Sequence, residues 1–251
     1  MNVGLIGCGN MGRALARGWK QPIACCDVFP ELAERLAEET GGQAFATSVE
    51  VAEHADVVVL AHKPYQLKEV ADQIGGRAKA IASILAGVPI ADLEEAYPDT
   101  PIIRLMPNTA VEVGRGVICM TPGSEVGDAL EKDVTELMER CGRVFGIDEK
   151  LMDAAMALIA VAPAYVALVA EAWADAGVGH GIPSHLAGEL VAEAIAGSAE
   201  LLLAHDVDTL KVRRGVTTPG GVTAQGLAAL ERHGIRPAFR EATDDVLGHL
   251  G

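Results

Sequence analysis

The chain has 251 residues, of which half are hydrophobic and 4% are aromatic, and its formal net charge is −15. This length suits one large domain or two modest ones. The acidic excess argues against a nucleic-acid-binding surface, which needs clustered Lys and Arg, and it offers little attraction to an anionic membrane.

Short β-branched runs alternate with helical patterns over the first 120 residues. Strands are predicted at 2–7, 23–28, 57–61, 80–85, 101–106 and 116–120, with a short extended piece at 43–46. Helices are predicted at 11–20, 31–40, 49–54, 65–74 and 90–96. The run at 57–61 is continuously apolar, which is typical of an inner strand of a parallel sheet. The alternation predicts an α/β domain with a doubly wound parallel sheet.

The pattern changes near Ser124. A helix is predicted at 125–141 and a last short strand at 144–146, and only helices follow, at 150–176, 183–205, 208–214, 223–233 and 235–249. Two domains are therefore predicted, an α/β domain at 1–148 and an all-helical domain at 149–251. A helical domain so rich in Ala and Leu exposes an apolar face unless it pairs, so we expect it to form a homodimer.

One helical stretch also has the length and hydropathy of a membrane span. Residues 151–170 are apolar except for Asp153, and such a stretch can cross a bilayer. Pro163 lies in its middle, however, and a helix that is apolar all round is often buried in protein instead. The chain is therefore expected to bind no membrane, and no signal peptide is predicted at its N-terminus.

The five cysteines are odd in number and include no C-x-x-C spacing. They predict neither a disulfide framework nor a metal site, and they fit a reducing cytoplasm.

A glycine motif follows the first predicted strand. Gly7-Cys8-Gly9-Asn10-Met11-Gly12 matches G-x-G-x-x-G and precedes a predicted helix. In such a motif the first Gly makes the tight turn, the second lets the backbone approach a pyrophosphate, and the third packs the helix on the strand. The motif predicts a dinucleotide-binding Rossmann domain; the alternative is a plain glycine-rich turn.

Asp27 ends the second predicted strand, about 20 residues after the first Gly. A carboxylate there accepts hydrogen bonds from both hydroxyls of the adenosine ribose and repels a 2′-phosphate. Val28, Phe29 and Pro30 supply no cation for that phosphate. The sequence thus favours NADH, with NADPH as the second choice; the alternative is that Asp27 serves only a turn ahead of Pro30.

Six further segments, in one order from residue 2 to about 240, resemble the pyrroline-5-carboxylate reductase family. Gly9-Asn10-Met11 resembles its G-N-M, and 61–64 (A-H-K-P) its A-V-K-P. Residues 83–88 (S-I-L-A-G-V) are similar to its S-I-A-A-G-V, and 103–109 (I-R-L-M-P-N-T) to its I-R-x-M-P-N-T. Residues 163–165 (P-A-Y), with the E-A and D-A-G that follow, and 216–223 (V-T-T-P-G-G-V-T) also match.

The resemblance implies NAD(P)H-dependent reduction of Δ1-pyrroline-5-carboxylate to L-proline. It also implies a Rossmann domain joined to a helical dimerisation domain, active sites between elements of a dimer, and rings of dimers in some members. A cyclic imine needs mainly to be held against the nicotinamide. The sequence shows no Ser-His-Asp arrangement and no H-E-x-x-H motif.

The candidate site residues come from these segments. Thr223 is the candidate catalytic residue, because the resemblance places its hydroxyl at the ring nitrogen; spacing alone leaves open that it only caps a helix. A helix starting after two glycines suits the substrate carboxylate. The predicted substrate-binding residues are Thr218, Gly220, Gly221 and Val222. The predicted cofactor-binding residues are Gly7, Gly9, Asn10, Met11, Gly12, Asp27, Ala61, His62, Lys63, Pro64, Ala86, Gly87 and Asn108.

Three positions depart from the family pattern. Ala160-Val161-Ala162 replaces a G-S-G-like run, Glu193-Ala194 replaces Q-T, and Ala110 stands where Pro is usual. These changes leave the exact substrate open, and a related imine or keto reductase is one alternative. Two others are a non-catalytic dinucleotide sensor, against which the intact P-G-G-V-T at 219–223 argues, and a β-hydroxyacid dehydrogenase. The last needs a catalytic Lys in the first long helix of the second domain, and 151–175 contains none.

Overall fold

The computed structural model describes residues 1–249 and divides them into two compact units, Met1–Val161 and Ala162–His249. The first unit contains an eight-stranded sheet with the order β3-β2-β1-β4-β5-β6-β7-β8. Its strands are β1 (Val3–Ile6), β2 (Ile23–Cys26), β3 (Gln43–Ala44), β4 (Val57–Leu60), β5 (Ile81–Ser83), β6 (Ile102–Pro107), β7 (Gly116–Pro122) and β8 (Gly142–Gly146). Its helices are α1 (Asn10–Trp19), α2 (Pro30–Thr40), α3 (Ser48–His54), α4 (Leu67–Ile74), α5 (Ile90–Ala96), α6 (Asp128–Glu139) and α7 (Met152–Ile159).

The predicted α/β class is confirmed, and the sheet is parallel except where β7 runs antiparallel to β6. The connection explains the exception. A single 3-10 turn, Thr109–Val113, joins these two strands, and it is too short for the crossover that a parallel pair needs.

Burial on both faces explains why the inner strands are continuously apolar. Val57 and Val59 pack into one hydrophobic cluster, whereas Val58 and Leu60 pack into a second. Successive side chains of a strand point to opposite faces, so the sheet lies between two cores. All four residues of β4 are therefore buried, two on each face of the sheet.

The second unit is all helical, as predicted. Its helices are α8 (Ala162–Gly179), α9 (Ser184–Ala204), α10 (Thr209–Val216), α11 (Val222–Arg232) and α12 (Ile235–Gly248). α8 packs along α9, yet Leu168, Trp173, Leu190 and Leu203 remain exposed in the single chain. Such a surface is typical of a domain that is buried by a partner.

The prediction of one helix over 150–176 was wrong. The chain instead forms a 3-10 turn (Glu149–Leu151), α7 and α8, with a break at residues 160–161. Pro163 explains the break, because proline has no N–H to donate and its ring clashes with the carbonyl of the fourth residue before it. The compact units divide at this break, later than the boundary predicted after residue 148.

Within the described residues, one helical stretch, Glu149–Gly179, is long and apolar enough to cross a membrane by length and composition. The break at 160–161 interrupts that stretch.

Candidate functional site

The glycine loop between β1 and α1 has the geometry that its sequence predicts. Gly7 has a φ of +102°, and a Cβ there would lie 2.6 Å from the backbone nitrogen of His62. At Gly12 a Cβ would overlap the carbonyl oxygen of Gly7. A Cβ on Gly9 would meet nothing within 4 Å. Gly7 and Gly12 are therefore required by packing, whereas Gly9 faces open space.

The N-terminus of α1 has free hydrogen-bond donors. Gly9 is its N-cap and supplies no side-chain cap. The first N–H groups of a helix lack intrahelical partners and carry a positive partial charge, so they bind anionic groups. Together with the open space at Gly9, this end of α1 fits a pyrophosphate.

Asp27 links the end of β2 to the glycine loop. Its Oδ2 accepts the N–H of Cys8 at 2.6 Å, and its Oδ1 accepts the N–H of Phe29 at 2.9 Å. Asp27 thus does stabilise the turn ahead of Pro30, which was the alternative to its role in ribose binding. A carboxylate oxygen accepts more than one hydrogen bond, so Asp27 retains acceptor capacity towards the cavity that it lines.

A cavity of about 630 Å³ opens beside this loop, entirely within the first unit. It brings together six of the predicted cofactor residues, which are Gly7, Gly9, Asp27, Ala61, His62 and Lys63. These residues come from the ends of β1, β2 and β4. The carboxyl ends of adjacent parallel strands form one edge of the sheet, where dinucleotides bind in such folds. The cavity, the glycine loop and Asp27 together fit a nicotinamide dinucleotide.

The cavity has further lining residues that sequence reasoning missed. They are Ile6, Cys26, Val28, Phe29, Leu32, Ala46, Thr47, Ser48, Val49, Tyr65, Gln66, Glu69, Val70 and Gln73. The sequence does contain one pattern that marks part of this wall. Thr47 and Glu50 form a capping box at the start of α3. That T-x-x-E pattern marks a helix start at the same sheet edge.

His62 has one satisfied and one unsatisfied ring nitrogen. Its Nδ1 lies 2.9 Å from the carbonyl oxygen of Lys63, so Nδ1 carries the proton, while Nε2 is buried without a hydrogen-bond partner. Burial lowers the pKa of the imidazole, against the opposing effects of the Lys63 carbonyl and the Glu69 carboxylate. The neutral ring is thus favoured at this wall.

Buried thiols lie under the glycine loop. A hydrogen bond with Cys25 and burial raise the pKa of Cys8, and burial raises the pKa of Cys26 to about 11. The thiolate forms of Cys8 and Cys26 are therefore disfavoured beside the anionic ligand that this loop fits.

The seven other predicted cofactor residues are not among those that line the cavity. Asn10, Met11 and Gly12 belong to α1, Pro64 begins a 3-10 turn, and Ala86 and Gly87 follow β5. Asn108 is only 6% exposed, and its amide donates to the Ile159 carbonyl at 3.2 Å and accepts from the Val117 N–H at 3.0 Å. Those bonds hold β6 to its neighbours, and the cofactor role of Asn108 stays a prediction.

The predicted substrate segment lies in the second unit and begins α11. The Gly221 N–H donates to the Thr218 carbonyl at 2.9 Å, Gly220 has a φ of +73°, and a Cβ on Gly221 would overlap Thr218 Oγ1. Gly221 is the N-cap and supplies no side-chain cap. Thr223, one residue after exposed Val222, is therefore not the capping residue.

Comparison with known proteins gives one family match near each end of the chain. Residues 2–87 match the family model described as NADP oxidoreductase coenzyme F420-dependent, and residues 149–249 match pyrroline-5-carboxylate reductase dimerisation. The chain is 36% identical to the pyrroline-5-carboxylate reductase of Aquifex aeolicus, covering 96% of this chain and 93% of that one. It is 35% identical to that of Thermus thermophilus, covering 97% and 95%.

Solved structures agree with these matches. The Plasmodium falciparum pyrroline carboxylate reductase with NADP bound superposes with a TM-score of 0.88 at 30% identity, covering 100% of this chain and 97% of that one. The Coxiella burnetii pyrroline-5-carboxylate reductase gives 0.92 at 27% identity, covering 99% and 97%. The dimerisation match accounts for the exposed apolar surface of α8 and α9. By sequence and by fold, the chain belongs to the pyrroline-5-carboxylate reductase family.

Proposed function

We propose that this protein reduces Δ1-pyrroline-5-carboxylate to L-proline with a reduced nicotinamide dinucleotide. The observation that carries the proposal is the match to curated reductases over 96% of the chain, which includes both the glycine loop and the Pro219–Thr223 segment. A dinucleotide cavity and a helix start suited to a carboxylate are the two binding elements that this reaction needs.

The chain's own residues have mainly a positioning task in this mechanism. The N-terminus of α1 holds the pyrophosphate, and the uncapped start of α11 holds the substrate carboxylate through its backbone N–H groups. The Thr223 hydroxyl forms a hydrogen bond with the ring nitrogen, which takes up one proton from solvent when the imine carbon accepts the hydride. The reduced nicotinamide, when bound, supplies the hydride that the imine carbon accepts. Correct alignment of the two rings accounts for most of the rate.

We infer that NADH is preferred over NADPH. Asp27 places a carboxylate on the wall where the adenosine ribose is expected, and a 2′-phosphate there would meet a like charge. Among the described residues that line the cavity, Lys63 is the one Lys or Arg, and it follows a different strand. The relative from Plasmodium falciparum was solved with NADP bound, so the test of this preference compares both cofactors.

The assembly we propose is a homodimer or a ring of dimers in the cytoplasm, with an imino acid as substrate and with no nucleic acid or membrane as partner. The dimerisation match at 149–249 and the exposed Leu168 and Trp173 support the pairing. The five free cysteines, all buried, fit a reducing compartment.

The test is the oxidation of NADH and of NADPH in the presence of pyrroline-5-carboxylate and, separately, of its six-membered cyclic homologue. We expect proline as the product and a lower KM for NADH. Turnover of the homologue alone would support the related-reductase alternative, suggested by the Ala160–Ala162 departure. The absence of turnover with either imine would contradict the proposal and favour a dinucleotide sensor.

Thr223 variants test the catalytic assignment. Thr223→Ala should lower kcat at least tenfold with NADH binding unchanged, while Thr223→Ser, which keeps the hydroxyl, should retain most activity. Thr209→Ser, at the start of α10 and outside the predicted site, is the conservative control. A loss of NADH binding in Thr223→Ala would show that the residue has been misplaced.

A further inference from the structure

Two large aromatic side chains lie exposed on the wall of the dinucleotide cavity. Phe29 is 58% exposed and Tyr65 is 85% exposed, and both line the cavity. The chain has only four Phe, three Tyr and two Trp, so two rings at one cavity stand out. Exposure of such rings is unfavourable in water and is typical of binding surfaces.

The backbone holds both residues in place. The Phe29 N–H donates to Asp27 Oδ1 at 2.9 Å, and Phe29 is the N-cap of α2, directly before Pro30. Tyr65 is the middle residue of the 3-10 turn Pro64–Gln66, which is closed by a hydrogen bond from the Gln66 N–H to the Lys63 carbonyl at 2.9 Å. Both rings are thus exposed on backbone segments that hydrogen bonds hold in place.

Neither ring has an aromatic partner in the part of the chain that the structure describes. The ring contacts among residues 1–249 join Phe45 to His54 and Tyr165 to Phe239. Phe29 and Tyr65 therefore do not stack on each other, and their faces are available to a ligand.

The neighbouring groups identify the occupant. In the adenosine half of a dinucleotide, the ribose joins the pyrophosphate to the adenine base. With the pyrophosphate at the N-terminus of α1 and this ribose at Asp27, the base is expected beyond the ribose, towards Phe29, which follows Asp27 by two residues. A purine base has flat faces that stack well on aromatic rings. The Thr47 hydroxyl on the same wall is not free to donate to a base edge, because it already donates to Glu50 Oε2 at 2.8 Å.

We propose that Phe29 and Tyr65 form an aromatic clamp for the adenine base of the cofactor, and that stacking rather than hydrogen bonding to the base provides the recognition. This inference rests on the proposed use of a nicotinamide dinucleotide. It assigns a role to two residues that lie outside the glycine motif and the Asp27 position.

The direct test is calorimetric binding of ADP-ribose to the full-length protein, which involves neither substrate nor hydride transfer. Phe29→Ala and Tyr65→Ala should each weaken binding about tenfold, which corresponds to about 1.4 kcal/mol. Tyr65→Phe, which keeps the ring, should bind like the parent. The matched control is Phe145→Ala, which removes a partly exposed ring on β8, away from the cavity. Circular dichroism checks that each variant is folded.

A second ligand separates stacking from hydrogen bonding. The hypoxanthine analogue of ADP-ribose keeps the purine faces but replaces the 6-amino group, so it should bind within about threefold of ADP-ribose. A much larger loss would show that the base edge is read and would overturn the stacking proposal. Unchanged ADP-ribose binding in both alanine variants, or no binding by the parent, would also overturn it.

The binding and turnover measurements distinguish a failure of the aromatic clamp from a failure of the proposed reaction. If ADP-ribose binding depends on the two rings but neither imine is turned over, the clamp stands and the reductase assignment falls. If pyrroline-5-carboxylate is reduced and the alanine variants keep the parent's affinity, the reaction stands and the clamp falls.

Discussion

The Asp27 carboxylate accepts the backbone N–H of Cys8 at 2.6 Å, and this bond joins the end of β2 to the glycine loop that follows β1. A residue expected to select the cofactor therefore also shapes the loop that binds the pyrophosphate. Substitutions at Asp27 must be chosen so that these two roles are separated.

Asp27→Asn keeps one oxygen that can accept the Cys8 N–H, loses the acceptor for the Phe29 N–H, and removes the negative charge. We expect the NADPH-to-NADH ratio of kcat/KM to rise about tenfold or more, because the 2′-phosphate no longer meets a like charge. Steady-state kinetics with both cofactors measures this ratio. Asp27→Ala should in addition weaken binding of both cofactors by releasing the loop. An unchanged ratio in Asp27→Asn would contradict the role in cofactor choice.

Gly9→Ala should impair NADH binding, whereas Gly12→Ala should impair folding stability. The Cβ added at position 9 would enter open space, so Gly9→Ala should fold normally but bind NADH much more weakly, since the methyl group occupies the pyrophosphate position. A Cβ at position 12 would overlap the Gly7 carbonyl oxygen, so Gly12→Ala should lower the thermal midpoint or prevent folding. Thermal melts with and without NADH separate the two. Equal melting and equal NADH binding in both variants would contradict the assignment.

His62 should make the stability of the first unit fall at mildly acidic pH. Burial lowers its pKa in the folded state, so the unfolded chain binds more protons as the pH drops below about 6.5, the ordinary value. The stabilisation is present above that pH and is lost as the pH falls through the lowered pKa. His62→Val, which restores the residue of the family segment, should reduce the loss in urea midpoint between about pH 7.5 and about pH 5.5. An equal loss in parent and variant would argue against this origin.

Arg104 and Glu149 form a largely buried ion pair. Arg104 Nη1 lies 2.6 Å from Glu149 Oε1, which also accepts the Ile90 N–H, and the Arg104 side chain is 8% exposed. Arg104→Met should lower the free energy of unfolding by about 3 kcal/mol, because it leaves a carboxylate without its buried partner. Urea unfolding measures the loss. Arg35→Met is the control, since it removes an exposed pair with Glu39 and should cost less than about 1 kcal/mol. Similar costs for the two would contradict the role of burial.

The cysteines should be unreactive in the folded protein. All five are buried and free, and burial raises the pKa of both Cys26 and Cys141 to about 11. The thiolate is the reactive form, so an aromatic disulfide reagent near pH 8 should label less than one thiol in the native state. The same reagent should label five in guanidinium chloride. Rapid labelling of native Cys26 would show that the cavity wall opens readily.

Local sequence rules determined a large part of this fold. The glycine motif, the continuous apolar run of β4 and the strand–helix alternation predicted the α/β domain, because each depends on neighbours along the chain. The same rules brought Gly7, Asp27 and Lys63 correctly to one sheet edge, since strand ends in a parallel sheet meet there. The family segments named the reaction, and they did so without any knowledge of contacts.

Tertiary structure decided what side chains do once distant segments meet. Asn108 and Arg104 stand in a family motif, yet both bond to groups from other segments, to Ile159 and Glu149 respectively. Phe29 and Tyr65 are 36 positions apart in sequence and reveal a shared cavity only when β2 and β4 lie on either side of β1. Periodicity and motif spacing describe one segment at a time. Burial and hydrogen-bond partners depend on contacts between segments that are distant in sequence, and a local pattern does not specify those contacts.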